Sequence, residues 1–368
     1  MEQNLTEGSV WKKLGAFALP ILGANLLQAM YGTVDLMIVG LFSNSAEVSA
    51  VSTGSITMQT ITGIITGLTM GCTVLLGQKI GQKDEKAAAR TIGSAFWLFI
   101  SVGILLAGVI VCLASTIARV MNAPEEAFWQ TVAYIRICGA RILGIVMFNA
   151  ISGIFRGMGD SKTPLWLMGI ACAGNVLGDL LFVGVFSMKS QGAALATIAA
   201  QALSVVFSYV LIRKRGFGFP VSRNDLRPTK NETIRILQYG LPIAAQEALT
   251  GASFMIILAI LNGFGLVASA GVGVAEKLCA LMFIVPGAIM SAISAFSAQN
   301  IGAGNSKRAK SGMFYGMGIS VVVGIAMFAV SFFQGVWLAH FFTSDREVML
   351  AAADYLKSYS IDCVIVGI

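Results

Sequence analysis

Residues 312–339 read GMFYGMGISVVVGIAMFAVSFFQGVWLA, twenty-eight positions without a charged side chain. As a helix rising 1.5 Å per residue this stretch is about 42 Å long, enough to cross the ~30 Å hydrocarbon core of a bilayer with tilt to spare. Nine further apolar runs of similar kind lie at 14–41, 46–77, 91–117, 131–155, 164–187, 192–212, 234–261, 267–298 and 348–368. They are too long and too continuous for a β-barrel, whose strands alternate over about ten residues. The whole chain agrees with the one segment. Charged residues make up 12% of its 368 positions, against roughly 25% in soluble domains. Apolar types reach 56% and the mean hydropathy is +0.80. That balance excludes a disordered chain and a soluble globule, and leaves an all-α polytopic membrane protein.

Lys and Arg sort to one side. Eighteen fall at the N-terminus and in the loops after runs two, four, six and eight, while the intervening loops hold Arg119, Lys189 and Arg346. This bias places the N-terminus in the cytoplasm of a plasma-membrane protein. It also accounts for the net charge of +7 without nucleic acid as a partner. The six cysteines sit inside apolar runs with no metal-type spacing and read as buried free thiols. No cleavable signal peptide is evident.

The chain repeats itself. Ala18-Leu19-Pro20-Ile21 returns as Gly240-Leu241-Pro242-Ile243, and Gly77-Gln78-Lys79-Ile80-Gly81 returns as Ala298-Gln299-Asn300-Ile301-Gly302. Tyr134-Ile135-Arg136 returns as Tyr355-Leu356-Lys357. The offsets are 222, 221 and 221 residues. The first copy holds six spans, an even number, so the second enters the membrane with the same orientation. Such parallel repeats are related by an axis along the membrane normal. The expected organisation is a six-helix lobe over 1–212, a basic linker over 213–235 and a second lobe over 236–368. By the repeat arithmetic that second lobe holds about four helices, ten of twelve in all.

Several stretches together resemble the multidrug and toxic compound extrusion (MATE) family, in its DinF-like or MepA-like branch. They are Pro20 followed by Tyr31-Gly32-Thr33-Val34-Asp35; the turn Phe155-Arg156-Gly157-Met158-Gly159-Asp160-Ser161-Lys162-Thr163-Pro164; Asn175-Val176-Leu177-Gly178-Asp179; Gly192-Ala193-Ala194-Leu195-Ala196-Thr197; and Gln299-Asn300-Ile301-Gly302-Ala303-Gly304-Asn305. The resemblance covers nearly the whole chain. It implies two six-helix lobes working by alternating access, and a monomer that exports cationic or amphipathic small molecules in exchange for H⁺ or Na⁺. No other cofactor is implied.

An ionisable group at membrane depth costs at least ~2.5–3.5 kcal/mol on insertion scales, so each one needs a reason. Counting rises from the helix ends puts Asp35 and Asp179 at similar depth, with Asn175 one turn from Asp179 on the same face. Thr197 falls at a comparable level and Asn149 lower. These five form the candidate ion-coupling set, and the resemblance supports them position by position. Carboxylates in a low dielectric take up protons more readily, and ionised oxygens at Asp35, Asn175 and Asp179 suit a hard cation such as Na⁺. The repeat partner of Asp35 is Ile257, so coupling is expected in the first lobe alone.

Glu247, near mid-membrane, and Glu276 are candidate substrate contacts, joined by Gln28 and Tyr31 on the first helix. Pro20 and Pro242 are candidate hinges, because proline removes an i→i−4 hydrogen bond. The rival readings are a lipid-linked oligosaccharide flippase of the wider superfamily, which calls for a cationic cavity, and a transport-inactive truncated fragment. An enzyme would need a nucleophile–base or metal constellation such as His-Glu-x-x-His, and the sequence holds none.

Overall fold

The computed structural model describes residues 4–367 except 43–44, 122–124, 126–127, 223, 263–265 and 344. In some helical stretches, 45–56 and the side chains of Tyr31 and Asp35 among them, the backbone alone is described. The described residues form twelve α-helices and one π-helical turn. They are α1 (Val10–Phe42), α2 (Ser45–Gly81), α3 (Glu85–Val120), α4 (Phe128–Ala140), α5 (Ile142–Gly157), α6 (Lys162–Asp179), the π turn (Leu180–Val185), α7 (Lys189–Arg215), α8 (Lys230–Asn262), α9 (Leu266–Met282), α10 (Ile284–Gly302), α11 (Ser306–His340) and α12 (Arg346–Ile365).

These segments assemble into the ten rods that the hydropathy implies. Two rods are broken. The run expected at 131–155 bends by 46° between α4 and α5, at Arg141. The run expected at 267–298 divides between α9 and α10, next to Pro286, whose ring and missing N–H interrupt the ladder there. Pro20 and Pro242, by contrast, lie inside continuous helices. Among the described residues, seven helices, or eight with the bent pair as one, are long and apolar enough to cross a membrane by themselves. Large apolar side chains such as Leu105, Trp166, Val322 and Phe333 point outward, a surface suited to lipid rather than water. Cys72, Cys138, Cys279 and Cys363 are buried and form no disulfide, as expected; Cys112 faces outward and Cys172 is half-buried, against the expectation.

Turn chemistry sits at the end where the basic loops lie. Asp84 caps α3 by accepting from Ala87 N at 3.0 Å. Asp160 accepts from Lys162 N and Thr163 N at 3.0 Å each and from Thr163 Oγ1 at 2.6 Å, which fixes the start of α6. The repeat is visible at single-residue level. The α2–α3 turn carries a positive φ at Lys83 (57°), and the α10–α11 turn carries one at Gly304 (76°), 221 residues later.

That same repeated motif is where the lobes touch. Gly81 packs against the carbonyl of Gln299, and Gly302 packs against the carbonyl of Gln78, so closely that an added Cβ would overlap either oxygen. The two contacts are mirror copies under the repeat. Farther along α2, Gly67 and Gly71 meet α8 at Ala244 and Gly240 by backbone approach. On the opposite side of the seam, Leu14, Phe17 and Ile21 of α1 pack on Ala288, Ala292, Ala295 and Phe296 of α10.

Candidate ion-coupling and substrate sites

Asn175, Asp179 and Thr197 come together in the first lobe, each fully buried or nearly so. Asn175 and Asp179 are one helical turn apart on α6. The Asn175 amide donates from Nδ2 to Thr197 Oγ1 at 3.3 Å, and Thr197 in turn donates to Ala193 O at 2.8 Å. These two bonds fix which face the Asn175 amide presents. Its acceptor, Oδ1, is buried and has no hydrogen-bond partner among the described residues. Directly after Asp179 the helix widens into the π turn Leu180–Val185. Such turns recur at functional positions, and nothing in the local sequence announced this one. Close packing of α6 on α7 lets the trio form: a Cβ on Gly178 would sit 2.9 Å from the Ala196 side chain.

Asn149 takes a different partner. Its Nδ2 donates to Ile145 O at 2.9 Å, and its Oδ1 lies 3.1 Å from Thr66 Oγ1 on α2. Thr66 belongs to a row of threonines that sequence reasoning passed over. Thr62, Thr66, Thr69 and Thr73 descend one side of α2, and Thr73 Oγ1 donates to Gly153 O at 2.9 Å. The 3.6-residue spacing of these threonines was the available signal. Asp35 and Tyr31 lie on α1, but their side chains are outside the described residues.

The candidate substrate contacts divide. Glu247 is half-buried on α8 at the lobe boundary, and a Cβ on Gly63 of α2 would stand 3.2 Å from its Oε2. Glu276 is half-buried on α9, and its Oε1 is enclosed without a hydrogen-bond partner among the described residues. The α9 face that carries it packs on α12, where Tyr355 and Tyr359 stack at 5.9 Å and Phe283 meets Tyr359 edge-on at 5.9 Å. Gln28 is exposed on α1. On α12, Lys357 pairs with Asp354 at 2.9 Å. No cluster of three or more His, Cys, Asp or Glu suited to a metal occurs among the described residues. The oxygens gathered here are those of amide, hydroxyl and single carboxylates.

The family model MatE matches residues 20–181 and 242–368, leaving out α7 and the basic segment that follows it. The chain belongs to the MatE family. Relatives of this MatE chain include the "Probable multidrug resistance protein YpnP" of Bacillus subtilis (strain 168), 27% identical over 96% of this chain and 79% of that protein. Another is the multidrug export protein MepA of Staphylococcus saprophyticus, 22% identical over 95% of this chain and 78% of that one. Among solved structures, a MOP-superfamily transporter from Pyrococcus furiosus Vc1 superposes with a TM-score of 0.88 at 21% identity, covering 100% of this chain and 83% of that chain. The MatE chain is thus one of a family of multidrug efflux transporters with several membrane-spanning helices.

Proposed function

We propose that this MatE chain is a secondary active antiporter of the plasma membrane, with its N-terminus and basic loops in the cytoplasm. It exports cationic or amphipathic compounds in exchange for H⁺ or Na⁺ by alternating access. One observation supports this reading above the others. Three polar side chains, Asn175, Asp179 and Thr197, are buried within apolar helices, and the Asn175 acceptor oxygen has no hydrogen-bond partner among the described residues while its amide is bonded to Thr197. An acceptor one turn from a buried carboxyl suits a proton on Asp179, or a small hard cation bridging both groups.

In the cycle, uptake of the ion at Asp179, with Asp35 from α1, neutralises the site and favours one arrangement of the lobes. Loss of the ion favours the other, and the differential affinity of ion and substrate for the two arrangements is the coupling. Pro20, fifteen residues before Asp35 on α1, is the hinge through which a change at Asp35 bends that helix. Glu247 at the lobe boundary and Glu276 beside the α12 tyrosines attract a cationic substrate, with Tyr31 and Gln28 as further contacts. Acidic rather than basic groups in these places favour drug export over a flippase for anionic pyrophosphate lipids.

The test is ion-gradient-driven efflux of a cationic dye from proteoliposomes holding the full-length protein. Asp179→Asn and Asp35→Asn are expected to fold and to lose gradient dependence. Efflux that still follows the gradient in both variants would remove the first-lobe site from the mechanism.

A further inference from the structure

The basic face of the molecule is closed by a contact that neither the ion site nor the substrate residues use. Residues 4–9 lead into α1 of the first lobe, yet they dock on the second. Leu5 is fully buried with Leu14, Phe17 and Phe296. Its carbonyl accepts from Asn300 Nδ2 at 3.2 Å and from Arg308 Nε and Nη2 at 3.3 Å each. The same guanidinium donates from Nη1 to Gly8 O at 2.6 Å and from Nη2 to Glu7 O at 3.0 Å, and it lies 5.4 Å from the centre of the Phe296 ring. Three carbonyls converge on one planar fork because Gly8 takes a φ of +81°, which turns the chain back on itself. A lysine has the charge but not the fork.

The repeat supplies a counterpart. The segment leading into α8 docks on α3, the first-lobe equivalent of α11. There Trp97 Nε1 donates to Leu226 O at 3.1 Å, and Thr229 N donates to Ser94 Oγ at 3.0 Å. Each lobe's lead-in segment is therefore carried by the third rod of the other lobe, α3 or α11, with α9 and α10 counted as one rod. The two clamps differ in chemistry. Neutral donors hold the α8 segment, whereas a cation, Arg308, joined by the Asn300 amide, gathers the α1 segment. Between the clamps lies the Gly81–Gly302 crossing, where the lobes meet by backbone contact. Parting the lobes at this face requires the Arg308 clamp to let go.

We propose that residues 4–9 are a releasable latch on the inner gate, and that Arg308 is the positioning residue that sets how often the gate opens. This rests on the alternating-access reading and its cytoplasmic assignment of the basic face. The closed and open populations differ by whatever the latch contributes, so weakening it shifts the balance toward opening without touching ion or substrate groups.

The experiment uses the full-length protein in proteoliposomes with its native cysteines replaced by alanine. A single cysteine is placed at Ala298, which is 2% exposed and faces Gly77 across the seam. A membrane-impermeant maleimide applied to the basic face reads gate opening as labelling rate. Loss of a charge-assisted clamp in Arg308→Ala is expected to raise that rate about tenfold. Arg308→Lys is expected to fall between that variant and the parent. Gly8→Ala, which strains the turn and keeps the cation, is expected to raise the rate as well. The two changes combined are expected to do little more than the larger one alone, because both act through one latch. If Arg308→Ala does not fold, Gly8→Ala and Arg308→Lys carry the comparison. Unchanged labelling in the variants that fold, or full additivity of the two changes, would overturn the latch. Dye efflux is measured in the same vesicles, so a parent protein that labels as expected yet exports nothing counts against the transport reading and leaves the latch standing.

Discussion

At the scale of single residues the first-lobe site turns on which polar atoms are already committed. Thr197 holds the Asn175 amide, and Asn175 Oδ1, one helical turn from Asp179, has no hydrogen-bond partner among the described residues. Thr197→Val keeps the volume and removes the acceptor, stranding a buried amide donor. The expected cost is about 1–3 kcal/mol, read as a lower melting temperature in detergent, with Thr197→Ser close to the parent. Equal stability of the Val and Ser variants would show that the amide has another partner. The sequence named all three of these residues, because ionisable and amide groups are conspicuous in an apolar run. It did not show that Asn149 turns toward Thr66 of α2, since helix-to-helix rotation is not encoded in depth along one helix.

At the scale of elements the glycine crossings set the geometry. Gly81→Ala and Gly302→Ala each push a methyl into an opposing main-chain carbonyl that has no flexible end to yield. Each is expected to destabilise by about 1–3 kcal/mol, and the two by similar amounts because they are repeat partners. Thermal unfolding of both variants checks this, and a large inequality would break the equivalence of the two contacts. The linker has its own local order. Ser222 donates from its backbone N at 3.0 Å and from Oγ at 2.5 Å to Asp225 Oδ2, which holds that carboxyl below the usual carboxylate range; nearby Arg90 and Lys86 act in the same direction. A depressed value means the turn is favoured at neutral pH and loses that support as pH falls through the lowered value. Proteolysis of the linker is therefore expected to speed up in acid for the parent, and to be insensitive to pH in that range for Asp225→Asn. Long unbroken hydrophobic runs made the helices legible. The breaks at Arg141 and before Pro286 were less so, and the first of them has no proline to betray it.

At the scale of the molecule the two lobes meet along α2 with α8 and α10, and along α1 with α10. A pair of cysteines at Gly77 and Ala298, whose Cβ positions stand 3.0 Å apart, reaches the roughly 3.5–4.5 Å spacing of a disulfide once the two helices ease apart by about half an ångström, and so cross-links that seam at the basic face. In a background without other cysteines, oxidation is expected to abolish dye efflux and reduction to restore it. Efflux undiminished in the oxidised protein would mean that transport proceeds with this face closed.

Composition, hydropathy and the bias of Lys and Arg were enough to determine a helical membrane protein and its expected orientation, because a bilayer admits few solutions for a chain this apolar. The offset of 221–222 residues determined that the two halves are copies in parallel. Tertiary structure alone decided how the copies engage. Contacts such as Gly81 on Gln299, Arg308 on Leu5 and Glu247 on Gly63 join residues more than 180 positions apart. They depend on helix rotation, on close backbone approach and on the turn at Gly8, none of which a one-dimensional pattern records.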